Sequence, residues 1–284
     1  MLSWSSAGRC TSLALHRGLC VTDRESADFA QDTTLDALLG GRVQLKQPRK
    51  GQRASADAVM LAAAVPARRG QRVLELGCGT GVAMLCLAAR VPGLEVDGIE
   101  LQPGLVALAQ GNIAANGQEQ RLRAFAGDLR ERKSLGPGVA PNSYDQVFAN
   151  PPYFDPARHR VAADPGRALA RHGGVKGELA AGADATAWIG AMLRYCRPGG
   201  RLTLIQRVEQ LGALLAALEP KAGGIEVIPL HSKPGQAAKR LILRAVKGGK
   251  APLTLRPGLV LHRPDGGYFP EIDAVLRDGA ALPI

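Results

Sequence analysis

Two rhythms of apolar residues alternate along the chain between Arg72 and Ala245. Segments rich in apolar residues at 72–76, 94–99, 122–126, 144–149 and 201–205 have the length of buried strands. Between them apolar residues recur every third or fourth position, as at Val82, Leu85, Cys86 and Ala89, the spacing of one helical face. This predicts helices at 81–90, 103–115 and 185–196, and another marked by Leu211, Leu214, Leu215 and Leu218. Asn116-Gly117 is a suitable stop for the second of these. Strands at 225–229 and 240–245 would close the series. Strands alternating with helices define an α/β unit built on a parallel sheet. Ahead of it, Val43 and Leu45 alternate with polar residues within 35–50, which predicts a short hairpin. Ser55 is placed to cap a helix over 56–65, with Asp57 in its first turn. A Gly/Pro-rich loop spans 134–143, and a long insert carrying Arg158, His159, Arg160, Arg167, Arg171 and His172 spans 154–183. Loops of that length are uncommon without a task. There is no internal repeat.

Composition narrows the class. The chain has 284 residues, 46% of them hydrophobic, enough for a sizeable core. No apolar run has the length of a membrane span. The five cysteines, Cys10, Cys20, Cys78, Cys86 and Cys196, are odd in number and form no C-x-x-C pair. That argues against a disulfide framework and against a zinc site, and makes a reducing cytoplasm the simplest compartment. No metal and no membrane partner are expected. The net charge is +11 and is unevenly spread: residues 151–284 hold 19 basic and 11 acidic side chains. Such an excess following a catalytic strand suits a polyanionic substrate. Residues 1–30 fit no element; they read as a disordered tail or as translation begun too early, with a faint likeness to a transit peptide.

The chemistry sits at the strand ends. The first strand runs into Gly77, Gly79 and Gly81, which permit a tight turn and close approach of a ligand to the backbone. Val82 stands where the dinucleotide fingerprint needs its third glycine, so nicotinamide cofactors are not indicated. Cys78, between two of the glycines, reads as a small residue that fits rather than a nucleophile. The second strand ends in Glu100, where a carboxylate can accept bonds from both hydroxyls of a ribose. The third ends in Gly127-Asp128 and the fourth in Asn150-Pro151-Pro152-Tyr153. Asn150 offers a carbonyl acceptor, the prolines stiffen the turn, and Tyr153 offers a face for a flat ring. Together they suit the holding of a planar primary amine.

These ordered motifs resemble those of the class I S-adenosylmethionine-dependent methyltransferases. Within that superfamily the chain is most similar to the bacterial tRNA1(Val) adenine-N(6) methyltransferases, over about residues 35–278, including Leu38-Leu39-Gly40-Gly41-Arg42-Val43 and the closing Gly258-to-Gly267 region. The resemblance implies a Rossmann-like α/β fold with helices on both faces of a mostly parallel, seven-stranded sheet whose last strand is antiparallel. It implies S-adenosylmethionine as cofactor, held by Glu75, Gly77, Cys78, Gly79, Gly81, Glu100, Leu101, Asp128, Leu129 and Asn150, with Asp128 on the adenine amine. It places catalysis on Asn150, Pro151, Pro152 and Tyr153, with Arg53 and Asp57 passing over the cofactor as one reading of that segment. RNA, foremost tRNA, is the implied partner, and Phe154, Arg171, Lys239 and Arg240 are candidate contacts to it. His231 and the turn Ser232-Lys233-Pro234-Gly235 lie beside them.

The expected organisation is a tail over 1–30, a methyltransferase domain over 31–246 and an extension over 247–284 packed on it, acting as a monomer. Two alternatives share the tetrad. One is a glutamine methyltransferase of release factors, which resembles a layout with a separate helical domain before the glycine loop. The other is an rRNA or DNA amino-methyltransferase acting on adenine or guanine. A non-catalytic binding module of the same fold would not need the carboxamide.

Overall fold

The protein is described by a computed structural model covering residues 32–50, 53–131, 136–152 and 185–284. The tail over 1–30 and the insert over 154–183, with Tyr153, Phe154 and Arg171, lie outside the described residues.

The chain opens with an antiparallel hairpin, β1 (Thr33–Leu38) and β2 (Val43–Pro48), in register from Thr33 opposite Pro48 to Leu38 opposite Val43. Val43 and Leu45 point inward and are buried, as their alternation requires. Helix α1 (Ala56–Ala64) follows. Ser55 takes the extended conformation of a cap, but its side chain makes no capping bond; its carbonyl accepts the Ala58 amide at 3.0 Å instead. Asp57, in the first turn, pairs with Arg240 at 2.6 Å.

The alternating unit then runs β3 (Arg72–Leu76), α2 (Val82–Arg90), β4 (Glu95–Glu100), α3 (Pro103–Ala115), β5 (Leu122–Ala126), β6 (Tyr144–Ala149), α4 (Ala185–Tyr195), β7 (Cys196–Arg207), α5 (Leu211–Leu218), β8 (Ala222–His231) and β9 (Arg240–Lys247). These strands lie side by side in the order β8-β9-β7-β6-β3-β4-β5. Only β9 is antiparallel to its neighbours. Among the described residues the expected seven become nine, because β10 (Thr254–Leu255) and β11 (Leu259–Val260) pair with the outer edge of β8. The added strands satisfy backbone groups that an edge would leave open. β7 is also longer than expected. Tyr144 pairs with Cys196 and Gln146 with Arg201, so Pro198-Gly199-Gly200 forms a bulge inside the strand rather than a turn before it.

Alternate residues of each central strand face opposite layers. Val73, Phe148, Ile205 and Ile242 pack with α1, α2, α3 and the final helix α6 (Pro270–Asp278). Leu74, Val147, Leu204 and Leu243 pack with α4 and α5. Burial on both faces explains why these segments are rich in apolar residues without strict alternation. The chain builds outward from β3 to β5, then returns to β6 on the other side of β3. That reversal opens a crevice beyond the carboxyl ends of β3 and β6, where ligands of open α/β sheets bind.

At the amino half of the sheet, Asp97 is 2% exposed and binds three partners. The Tyr144 hydroxyl donates to it at 2.6 Å, Arg123 at 2.9 Å and Arg72 at 3.4 Å. Both arginines reach solvent, whereas Tyr144 is fully buried. Replacing Asp97 with alanine therefore strands the Tyr144 hydroxyl, at a cost of about 1–3 kcal/mol. Urea unfolding of Asp97→Ala should show that loss. Ligand affinity of the folded variant should be unchanged, because the cluster lies at the far end of the sheet from the crevice.

Candidate active site

Each side chain in the crevice is delivered by the end of a strand. After β3 the backbone turns through Gly77, whose φ of +71° disfavours any side chain. A Cβ there would also lie 2.8 Å from the indole of Trp188, so the ring of α4 occupies the space a side chain would take. The amides of Gly77 and Cys78 both donate to the Ile99 carbonyl, at 2.7 and 3.0 Å. The Gly79 amide donates to the Glu100 carboxylate at 2.9 Å, and the Gln102 amide to its other oxygen at 3.0 Å. Glu100 is thus oriented by backbone on both sides while it faces the crevice. Burial pushes its carboxyl above the usual range, and the bonds from Gln102, Gly79 and Leu101 offset this in part.

Glu75 lies deeper, 3% exposed. It accepts the Met84 amide from the first turn of α2 at 2.9 Å. Burial holds its carboxyl well above the ordinary value, the Met84 bond works against that, and the charge of Glu100 adds to it. Cys78 is buried against Gly98, where a Cβ would sit 2.8 Å from its sulfur. Burial raises this thiol well above its ordinary value, so it is packed rather than reactive.

Asp128 follows β5. Arg130 approaches it through Nε at 2.9 and 3.0 Å and through its terminal nitrogen, and the Arg130 amide adds a bond at 2.9 Å. The guanidinium holds the Asp128 carboxyl below its usual value, so it remains a charged acceptor. Four lone-pair sites on the carboxylate leave room for a ligand donor beside the arginine.

Asn150, half-buried at the end of β6, stands where two lobes of one cleft meet. One lobe is walled by Ile99, Glu100, Leu101, Asp128, Leu129 and Trp188, an apolar slot with two carboxylates at its rim. The other is walled by Arg53, Ala54, Glu75, Cys78, Thr80, Pro151 and Val82. Gly77, Gly79, Leu105, Asn150 and Pro152 line both. Arg53 is tied to the hairpin through Asp36 at 2.8 Å, Thr34 at 3.0 Å and the Pro48 carbonyl at 3.1 Å. Asp57 is absent from either wall.

Glu75, Gly77, Cys78, Gly79, Glu100, Leu101, Asp128, Leu129 and Asn150 are thus brought to one cleft, with Pro151 and Pro152. Gly81 stands behind the loop as the left-handed cap of α2. Lys239 is exposed beyond the start of β9, at the cleft end of the sheet, whereas the guanidinium of Arg240 is engaged by Asp57. The basic excess divides between the two ends. Arg197 and Arg201 lie in the first half of β7 and Lys247 ends the antiparallel β9, so these three lie opposite the cleft, while Arg244 sits mid-strand opposite Thr203. Trp188 and Arg130 were not legible as site residues. Trp188 shares its helical spacing with core residues Ile189 and Met192, and nothing in sequence separates it from them.

The cleft fits S-adenosylmethionine. Gly79 is free of neighbours within 4 Å where a side chain would stand, Glu100 is aligned for a diol, and the apolar slot suits a flat ring. The fold and this cleft define a class I S-adenosylmethionine-dependent methyltransferase.

Comparison with known proteins agrees. The family model for the Methyltransferase small domain matches residues 53–174. A tRNA1(Val) (adenine(37)-N6)-methyltransferase from Tolumonas auensis is 32% identical over 235 residues, covering 81% of this chain and 91% of that protein. One from Yersinia pestis is 28% identical over 249 residues, covering 85% and 94%. A predicted O-methyltransferase from Agrobacterium tumefaciens, known from its crystal structure, superposes with a TM-score of 0.63 at 26% identity, covering 79% of this chain and 97% of that one. The chain belongs to the tRNA1(Val) adenine-N6-methyltransferase family.

Glu75 makes stability depend on pH in a definite direction. Its folded carboxyl keeps its proton to a higher pH than an unfolded glutamate. The folded state is favoured while that proton is held, and the advantage is lost as pH rises through the raised value. Glu75→Gln keeps an oxygen for the Met84 amide and removes the titration. Its melting temperature should gain on that of the parent as pH rises above the ordinary glutamate value; parallel curves would mean that the carboxyl is solvated.

Proposed function

We propose that this protein methylates the exocyclic amine of an unpaired adenine in tRNA, the one beside the anticodon. The carrying observation is Asn150 at the junction of the two lobes, on a turn stiffened by Pro151 and Pro152. S-adenosylmethionine, when bound, supplies an electrophilic methyl group and leaves as a neutral thioether. The chain's own work is to present the amine. The adenine amine gives its lone pair to the ring and is a poor nucleophile. The Asn150 carboxamide oxygen accepts one amine hydrogen, and a backbone carbonyl of the same turn, Pro151, accepts the other. This turns the lone pair toward the methyl group and favours the positive charge that grows on nitrogen, which is discharged when the methylated amine releases one of its two hydrogens as a proton to solvent. Orientation of this kind supplies roughly 7–11 kcal/mol of a barrier.

The names of the two relatives, which specify adenine 37 of tRNA1(Val), support the acceptor. The layout supports it over glutamine in a release factor. Between residues 32 and 71 the described chain forms a hairpin and one helix, not a separate helical domain. An anticodon loop also presents its bases at a lower flipping cost than a duplex. Tyr153 and Phe154 are assigned to stacking on that base, and Arg171 to its phosphates. We place the protein in the cytoplasm with its substrate. Cys78, Cys86 and Cys196 are buried free thiols, in keeping with a reducing compartment. Among the described residues no helix is long and apolar enough to cross a membrane.

The test offers labelled S-adenosylmethionine with unmodified tRNA, duplex DNA and release factors in separate reactions, followed by digestion to nucleosides. Label should appear as 6-methyladenosine from tRNA. Asn150→Ala should lower that rate at least about 100-fold at saturating cofactor while melting stays near that of the parent. Label confined to release factor would overturn the acceptor.

RNA binding should weaken steeply with salt. Lys233 and Lys239, both exposed at the cleft end, are the residues to reverse. Changing both to glutamate should lower the salt slope by about 1–2 and leave cofactor affinity alone. Arg240 is a poor reporter, because its reversal would set a carboxylate against Asp57.

A further inference from the structure

Helix α3 and its C-terminal cap turn two asparagines, Asn112 and Asn116, toward the free edge of β2. The Asn116 carboxamide accepts the Gln44 amide at 2.9 Å and donates to the Gln44 carbonyl at 2.7 Å. Asn112 does the same with Lys46, at 2.7 and 2.8 Å. A carboxamide carries an acceptor and two donor hydrogens, so it can copy both backbone groups of a neighbouring strand. The spacings also agree. Residues four apart on a helix rise about 6 Å, and alternate residues of a strand lie about 6.6 Å apart. The helix thus stands in for a third strand of the hairpin.

The two asparagines differ in their remaining hydrogen. Asn116 gives it to the Asn112 carbonyl of its own helix at 2.7 Å. Asn112, 1% exposed, gives it to the carbonyl of Thr80 at 2.9 Å. Thr80 lies in the glycine loop, and its carbonyl shares one rigid peptide plane with the Gly81 amide. The inner side of the loop is fixed by Ile99 and Glu100. Asn112 fixes the outer side.

We propose that Asn112 is a positioning residue for the cofactor. It sets the Thr80–Gly81 peptide, and it makes that setting depend on the docked hairpin, to which Arg53 in the wall of the same lobe is tied. The inference rests on the glycine loop being the cofactor's seat.

Asn116→Ala is the internal control, since both alanine variants strip one pair of bonds from β2 but only Asn112→Ala frees Thr80. Asn112→Asp retains the shape and the acceptor for the Lys46 amide and loses both donors. Affinity for S-adenosylhomocysteine would be read by calorimetry on the full chain. Amide hydrogen exchange of the 77–84 segment would be read without ligand. Asn112→Ala and Asn112→Asp should each bind about tenfold more weakly, the effect of one lost buried bond, and should exchange faster in that segment. Asn116→Ala should stay within about twofold of the parent in both readings. Equal losses in the Asn112 and Asn116 variants would overturn the proposal, because hairpin docking alone would then explain them. If Asn112→Ala does not fold, parent-like affinity and exchange in Asn112→Asp would overturn it as well. A parent that does not bind S-adenosylhomocysteine would instead refute the cofactor assignment.

Discussion

The bond from the Gly79 amide to the Glu100 carboxylate holds the site together. It joins the loop after β3 to the end of β4, so neither can shift without the other. The bond forms because β3 and β4 are parallel neighbours, in register from Arg72 opposite Glu95 to Leu76 opposite Ile99. Register places the carboxylate one residue beyond the strand pair, level with the turning loop. Burial makes that carboxylate costly to ionise, and three backbone amides recover part of the cost. The site is therefore built against a local energetic preference, and the sheet supplies the rigidity that permits it.

The same logic extends outward in shells. Trp188 closes the cleft from α4 by filling the space that Gly77 leaves empty. Asn112 closes the loop from α3 and carries the hairpin with it. Arg53 then links the hairpin back to the second lobe. Elements far apart in sequence are coupled through single polar contacts, each made inside otherwise apolar packing. Such contacts are strong because water cannot replace them.

Charge is distributed less simply than the sequence suggests. The basic excess follows the catalytic strand in sequence, but strand direction divides it in space. β9 runs against its neighbours, so Arg240 stands at the cleft end and Lys247 at the other, with Arg244 between them. Arg244 is further drawn under α1, where it donates to the Ala64 carbonyl. Many arginines that look like a substrate field thus serve helix ends and ion pairs. The exposed lysines of the 232–239 turn are better placed to meet phosphate.

The order of strands and helices from β3 to β9 was legible in the sequence, since doubly buried strands and one-faced helices leave different apolar periods. The carboxyl-end residues Gly77, Glu100, Asp128 and Asn150 were legible for the same reason. A residue that ends an apolar run in a parallel sheet has only one place to be. Three kinds of feature were decided by tertiary structure alone. Ser55 has the composition of a cap and makes no capping bond, while Asp57 beside it answers an arginine 183 positions away. The β10 and β11 pairings depend on an open edge that no local pattern announces. Trp188 and Asn112 carry the periodicity of ordinary helix positions, and their meaning lies in what packs opposite. Local periods report which side of an element is buried; they carry no record of the partner across the interface, and it is the partner that gives these residues their roles.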